Sequence, residues 1–293
     1  MPRLAANSIE IEYEQFGDSA NPPLLLIMGL GGQMILWPDE FCGQLADRGF
    51  HVTRFDNRDI GRSTWLTEAG TPDVMTAMMS AMSGGKVGAA YTLSDMAADT
   101  NGLLEGLDID RAHIVGISMG GMIAQTLAIE HPERVRTLTS IMSTTGDLSL
   151  PQATPEVTAV LLSPPPPGRE GIAEHGVQLF RAIGSPGFPF DEAMVRDVAG
   201  RCFDRGNNPD GVARQLMAIL ASGDRTEHLA KVKAPTVVIH GKADPLVPYE
   251  SGVATAKAIA GAKLVSIDGM GHDMPVGVWP TLLDEICAVA AKG

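Results

Sequence analysis

The stretch His113-Ile114-Val115-Gly116-Ile117-Ser118-Met119-Gly120-Gly121-Met122 restricts this chain more than any other. Residues able to sit in a buried strand lead into Gly-x-Ser-x-Gly, and an Ala- and Gly-containing helical pattern follows to His131. A strand that turns this sharply into a helix projects the residue at the turn, Ser118, clear of the sheet. The flanking glycines leave room for the crowded backbone. Unpaired N–H groups at the start of the helix, with the positive end of its dipole, then lie beneath that hydroxyl and favour an anion formed there. Gly-x-Ser-x-Gly recurs by chance, but the strand before it and the helix after it make Ser118 a nucleophile candidate.

The rest of the chain supplies a frame for such an elbow. Residues 9–16 alternate apolar and polar, as a half-exposed edge strand does. Leu24-Leu25-Leu26-Ile27-Met28 reads as a buried central strand ending in the glycine loop Gly29-Leu30-Gly31-Gly32. A helix over Trp37–Arg48 and a strand over His51–Phe55 follow. The polar loop Asp56-Asn57-Arg58-Asp59-Ile60-Gly61-Arg62-Ser63 is expected to hold itself by internal hydrogen bonds rather than to act in catalysis. Ser94 can cap a helix to about Leu107, and Val135–Met142 is the next strand. Strand signals then stop until Pro235–His240, with helical patterns near 172–183, 191–204 and 211–221 and a stiff Pro164–Pro167 run. A helix near 250–260, a strand Lys263–Ile267 and a helix over 277–291 complete the chain. Alternating strands and helices require a mostly parallel sheet flanked by helices, an α/β class. Residues 1–145 and 227–293 read as one core, and residues 146–226 as an inserted helical cap.

At 293 residues, one large α/β domain is the expected size. Acidic residues outnumber basic ones 35 to 22, which argues against nucleic acid and anionic lipid as partners. Cys42, Cys202 and Cys287 are odd in number and lack metal-ligand spacing, so they read as reduced, mostly buried thiols. The N-terminal residues carry no secretory leader pattern and no apolar run is long enough to span a bilayer. A cytoplasmic protein without membrane insertion is the expectation; oligomeric state is left open.

A serine hydroxyl needs a base, and the base an orienting acid. Asp244, in His240-Gly241-Lys242-Ala243-Asp244, follows one late strand, and His272, in Asp268-Gly269-Met270-Gly271-His272, follows the next. Ligands in such sheets sit beyond the carboxyl ends of the strands, where both loops lie. His240 suits a packed residue near the acid loop, and His113 stands at the wrong end of its strand. His131 closes a helix, and Asp273 is too close in sequence to the base to reach its far nitrogen. Asp147, after the Val135–Met142 strand, stays open as an alternative acid. The backbone N–H of Met119 and one from the glycine loop, expected to be Leu30, would form an oxyanion hole.

Five ordered motifs, Met-Gly-Leu-Gly-Gly at 28–32, Asp-Asn-Arg-Asp-Ile-Gly-Arg-Ser at 56–63, Gly-Ile-Ser-Met-Gly-Gly at 116–121, Gly-Lys-Ala-Asp at 241–244 and Gly-Met-Gly-His at 269–272, carry a resemblance over nearly the whole chain. The chain resembles the α/β-hydrolase superfamily, and within it the esterase branch that includes aclacinomycin methylesterase and mycobacterial lipase-like proteins. The resemblance implies an α/β-hydrolase fold with a helical cap, a serine triad and no cofactor. Many relatives carry His where this chain has Met28, but backbone donors do not depend on that side chain. The expected activity is a serine carboxylesterase acting on small to medium, apolar small-molecule esters. Thioesterases, C–C bond hydrolases and cofactor-free perhydrolases share the triad, and ligand receptors on this fold often keep it. A serine at the elbow disfavours dehalogenases and epoxide hydrolases, which use Asp. No Gly-x-Gly-x-x-Gly follows the early strand, which disfavours a dinucleotide-binding dehydrogenase.

Residues 66–91 break the strand–helix rhythm. Met75, Met78, Met79 and Met82 fall on one helical stripe, with Pro72-Asp73 as a start and Ser83-Gly84-Gly85 as a stop. Methionines repack around varied apolar ligands, so this segment is expected to be a mobile second lid; a helix packed on the core is the alternative.

Overall fold

The structure, a computed structural model, describes residues 1–293. Its strands are β1 Arg3–Ala6, β2 Ile9–Phe16, β3 Pro23–Ile27, β4 His51–Phe55, β5 Ala112–Ile117, β6 Val135–Ile141, β7 Thr236–Gly241 and β8 Lys263–Ile267. They form one sheet in the order β1-β2-β4-β3-β5-β6-β7-β8. β1 and β2 are antiparallel to their neighbours, and every pair from β4 onward is parallel.

The strand expected at the edge, β2, is one place inside it. Asn7 and Ser8 take positive φ of 45° and 67° and turn β1 back onto β2, pairing Ala6 with Ile9. Two consecutive left-handed residues make the tight hairpin turn that matches strand twist.

The helices are α1 Asp39–Asp47, α2 Val74–Met82, α3 Leu93–Gly106, α4 Met119–Glu130, α5 Pro155–Leu162, α6 Gly168–Ile183, α7 Glu192–Arg205, α8 Pro209–Ser222, α9 Thr226–Leu229, α10 Tyr249–Ala258 and α11 Trp279–Ala290. The helix expected from Trp37 starts after Pro38, behind a short 3₁₀ turn over Met34–Leu36. Thr92, not Ser94, caps α3, because Asp95 three residues on completes a reciprocal capping box. α5 went unanticipated among prolines, yet proline is well suited to the first position of a helix, and Thr154 caps it.

Successive residues of the central strands face opposite sides of the sheet and feed two cores. Leu25, Ile27, Ile114 and Leu138 pack with α3 and α4. Leu24, Leu26, Val115, Ile117 and Ile141 pack with α1 and α11, around Phe41 and Trp279. The interior is therefore apolar on both faces, as parallel sheets require. No helix is long and apolar enough to cross a membrane. Burial pushes the Cys42 and Cys202 thiols up to about 12, leaving them protonated.

Helices α5 to α8 lie between β6 and β7, strands adjacent in the sheet. The polar 56–63 loop does more than hold itself. Asp56 accepts the backbone N–H groups of Met34 and Arg62, and also pairs with Arg205 at the end of α7 at 2.8 Å. Asp59 accepts the Leu66 N–H and a two-pronged contact from Arg214 of α8 at 2.7 and 2.8 Å. Arg58 pairs with Asp99 of α3. Both loop carboxylates have no exposed surface, so they need cationic partners, and those partners come from the inserted helices.

In the 66–91 segment, Asp73 accepts the Thr76 N–H and caps α2. Ala77 and Ala81 face inward, whereas Met75, Met79 and Met82 are 58%, 62% and 83% exposed. Three of the four stripe methionines are thus exposed, while Met78 is half-buried beside the inward-facing alanines.

Candidate active site

Ser118 stands between β5 and α4 with φ 55° and ψ −122°, a strained backbone for a residue with a side chain. The glycines around it are there because nothing larger fits. A Cβ at Gly116 would lie 2.1 Å from the Gly120 carbonyl oxygen, and one at Gly120 would lie 2.1 Å from that of Ile27. The Ser118 N–H donates to Ile141 O at 2.9 Å, and its carbonyl accepts the Ser143 hydroxyl at 2.9 Å. The turn is thereby tied to β6.

The loops after β7 and β8 meet at this elbow. His272 Nε2 lies 2.9 Å from Ser118 Oγ, and His272 Nδ1 lies 2.7 Å from Asp244 Oδ2. The other Asp244 oxygen accepts the N–H groups of Leu246 and Val247 at 2.9 and 2.8 Å. An ionised carboxylate only accepts, so the proton of a neutral His272 belongs on Nδ1 and leaves Nε2 free to accept from the serine. Burial alone would raise the Asp244 carboxyl. The His272 ring, His240 and the Val247 N–H together outweigh it and hold Asp244 well below the usual carboxylate range. The loops approach closely: a Cβ at Gly241 would meet Met270 O at 2.2 Å.

His240 is fully buried beneath the acid loop, with Nε2 2.8 Å from Val247 O and 3.6 Å from Asp244 Oδ2. His113 faces Thr137 Oγ1 at 2.9 Å, away from the elbow. Asp147 accepts the N–H of Ser149 in its own loop at 2.8 Å and has no histidine partner. Asp273 is bound to the Ser185 hydroxyl.

The glycine loop runs directly against the serine; a Cβ at Gly29 would lie 3.1 Å from Ser118 Cβ. Gly32 N–H donates to Gly29 O at 3.1 Å, and Gly31 N–H donates to Gln215 Oε1 at 2.9 Å. The Leu30 N–H has no protein acceptor. Met119 is the first residue of α4, so its N–H has no partner within the helix. Leu30 follows Gly29, which packs on Ser118, and Met119 follows Ser118 itself, so both backbone groups adjoin the elbow.

Sequence reasoning missed the residues that reach the site from the inserted helices. Besides Gln215, the Ser185 hydroxyl accepts the Gly271 N–H at 2.8 Å, and Ile183 O accepts the His272 N–H at 2.7 Å. Nothing in the local pattern marks them, because their partners are distant in the chain. A cavity of about 320 Å³ lies between the 66–91 segment and α8, lined by Ala69, Pro72, Gly88, Ala89, Ala90, Arg214 and Met217. None of Ser118, Asp244 and His272 lines it. No group of three His, Cys, Asp or Glu side chains is arranged to hold a metal ion.

Residues 22–185 match the alpha/beta hydrolase fold family, and residues 220–277 match the TAP-like protein family. Rhodomycin D methylesterase DnrP of Streptomyces peucetius is 30% identical, over 97% of this chain and 96% of its own length. The 3-oxoadipate enol-lactonase 2 of Acinetobacter baylyi is 26% identical, over 85% of this chain and 81% of its own. Among solved structures, the enol-lactonase from Burkholderia xenovorans superposes with a TM-score of 0.75 at 21% identity, covering 99% of this chain and 100% of that one. The methylesterase and lactonase relatives agree with hydrolysis of an ester bond. With its eight-stranded sheet, its serine elbow and these similarities, the chain belongs to the alpha/beta hydrolase fold family.

Proposed function

We propose that this protein is a serine carboxylesterase that cleaves small to medium apolar esters through an acyl-enzyme. The observation that carries the reading is the hydrogen-bonded chain Ser118–His272–Asp244, at 2.9 and 2.7 Å, on the loops after β5, β8 and β7. Ser118 Oγ attacks the acyl carbon while His272 Nε2 takes its proton. The N–H groups of Leu30 and Met119 hold the oxyanion of the tetrahedral intermediate. His272 then returns the proton to the departing alkoxide, and the alcohol leaves. Water repeats the sequence on the acyl-enzyme, releasing the acid and restoring the serine. Asp244 keeps the imidazole in the reactive tautomer and stabilises its charged form.

Residues 146–226 serve as a cap over this centre, anchored by the Asp56–Arg205 and Asp59–Arg214 pairs. The 66–91 segment acts as a second, mobile lid, whose exposed Met75 and Met79 meet apolar ester chains. Because the 30% identical relative is a methylesterase, methyl esters are the first natural-type substrates to try.

The test is turnover of a p-nitrophenyl ester series from acetate to palmitate, beside methyl esters, for the wild type and Ser118→Ala. The proposal requires repeated turnover that Ser118→Ala removes except for a small residue. A single slow turnover would instead make the protein a ligand receptor. Preference for thioesters or vinylogous diketones over every ester would transfer it to the thioesterases or C–C bond hydrolases.

A further inference from the structure

The glycine loop is a β-turn held from outside. Gly32 N–H bonds to Gly29 O, making Leu30 and Gly31 its two central residues. Gly31 has φ 68°, while Leu30 is not among the residues with positive φ. That combination is a type II turn. Its central peptide, between Leu30 and Gly31, can turn over into the type I arrangement, exchanging the directions of the Leu30 carbonyl and the Gly31 N–H. An external acceptor on the Gly31 N–H prevents this. Gln215 is that acceptor: its Oε1 takes the Gly31 N–H at 2.9 Å, while its Nε2 donates to Arg58 O at 2.9 Å. The side chain has no exposed surface, and both ends of its amide are used. Val212, one turn back on α8, packs on the same glycine, within 3.3 Å of where a Cβ would stand.

We propose that Gln215 is a positioning residue. From α8 it holds the Leu30–Gly31 peptide in one orientation, so that the Leu30 N–H stays aimed at the reacting carbonyl oxygen. The inserted helices then contribute to catalysis itself, and not only to the shape of the pocket. This inference rests on the serine-esterase reading above. A turn free to flip reverses a peptide dipole beside the oxyanion and lets the Leu30 donor drift. A displacement of about 1 Å is enough to cost roughly a hundredfold in rate.

The experiment compares Gln215→Met, Gln215→Glu and Ser118→Ala in the full-length protein, with kcat expressed per site titrated by a fluorophosphonate for the wild type and the two Gln215 variants, and per protein chain for Ser118→Ala. Methionine keeps the length and loses both hydrogen bonds. A protonated glutamic acid keeps the shape, the acceptor and a donor toward Arg58 O. Gln215→Met should lower kcat by roughly 10- to 100-fold with KM nearly unchanged, since the lost interaction belongs to the transition state. Inhibition by a trifluoromethyl ketone, which binds as a tetrahedral adduct, should weaken in proportion. Gln215→Glu should restore most of kcat. Amide exchange in the wild type provides a readout that does not depend on the variants folding: the Gly31 amide should be strongly protected and the Leu30 amide not, until the ketone binds. Wild-type kcat in Gln215→Met, a raised KM with kcat intact, or a Gly31 amide that exchanges as fast as Leu30 would overturn the inference. If Ser118→Ala is inactive while Gln215→Met is normal, only this inference falls. If Ser118→Ala still turns over, the serine reading falls and takes the inference with it.

Discussion

At the scale of single residues, the proposal stands on which carboxylate serves His272. Two candidates followed late strands, and only position in space separates them. Asp244 lies 2.7 Å from His272 Nδ1, while Asp147 is spent on its own loop. Asp244→Asn should therefore reduce kcat by roughly 10³- to 10⁴-fold, because the amide favours the wrong imidazole tautomer. Asp147→Asn should stay within about twofold of wild type, and steady-state kinetics on one p-nitrophenyl ester decides between them. Ser118, Asp244 and His272 were legible because glycines and strand ends announce them locally. Gln215 was not, since a glutamine in an amphipathic helix looks the same whether it meets water or a buried N–H.

At the scale of elements, the strands were read closely and the helix starts less so. Buried parallel strands carry continuous apolar runs, which leave little freedom in their bounds. Helix starts depend on caps such as Thr92 with Asp95, where a one- or two-residue ambiguity is normal. The role of the 56–63 loop was legible only in part, because the partners of Asp56 and Asp59 sit 149 and 155 residues away, on α7 and α8. That pairing makes a stability prediction. Asp59→Asn leaves the buried Arg214 guanidinium without its counter-charge and should cost about 3–5 kcal/mol, measured by chemical denaturation. The α2 methionines act oppositely. Met79→Ser on an exposed face should leave the melting temperature almost unchanged and raise KM for long-chain esters more than for acetate. A large loss of stability with an unaltered chain-length profile would return α2 to a plain packing role.

At the scale of the whole molecule, the α/β architecture followed from the alternation of strands and helices around the serine elbow. The N-terminal hairpin was lost because a four-residue strand carries too short a pattern to be seen. The fold also sets how stability responds to acid. Burial, reinforced by the charge of Arg136, lowers the His113 imidazole from 6.5 to about 4. Between those values the unfolded chain binds a proton that the folded protein refuses, so stability falls as pH drops from 6.5 toward 4 and levels off below. His113→Gln should flatten that part of the stability–pH curve. Asp244 acts in a lower window: its folded carboxyl is depressed, so its contribution is present above pH 3.8 and is lost only as pH falls below that value.

One measurement decides directly whether Ser118 is the nucleophile of an ester hydrolase. The wild-type protein is treated with a fluorophosphonate, and intact-mass and peptide mass spectrometry locate the adduct. A Ser118 nucleophile gives one adduct per chain, on Ser118, with loss of ester turnover in step with labelling and no labelling of Ser118→Ala. An adduct on another serine accompanied by loss of turnover, or full turnover after Ser118 is labelled, would contradict it.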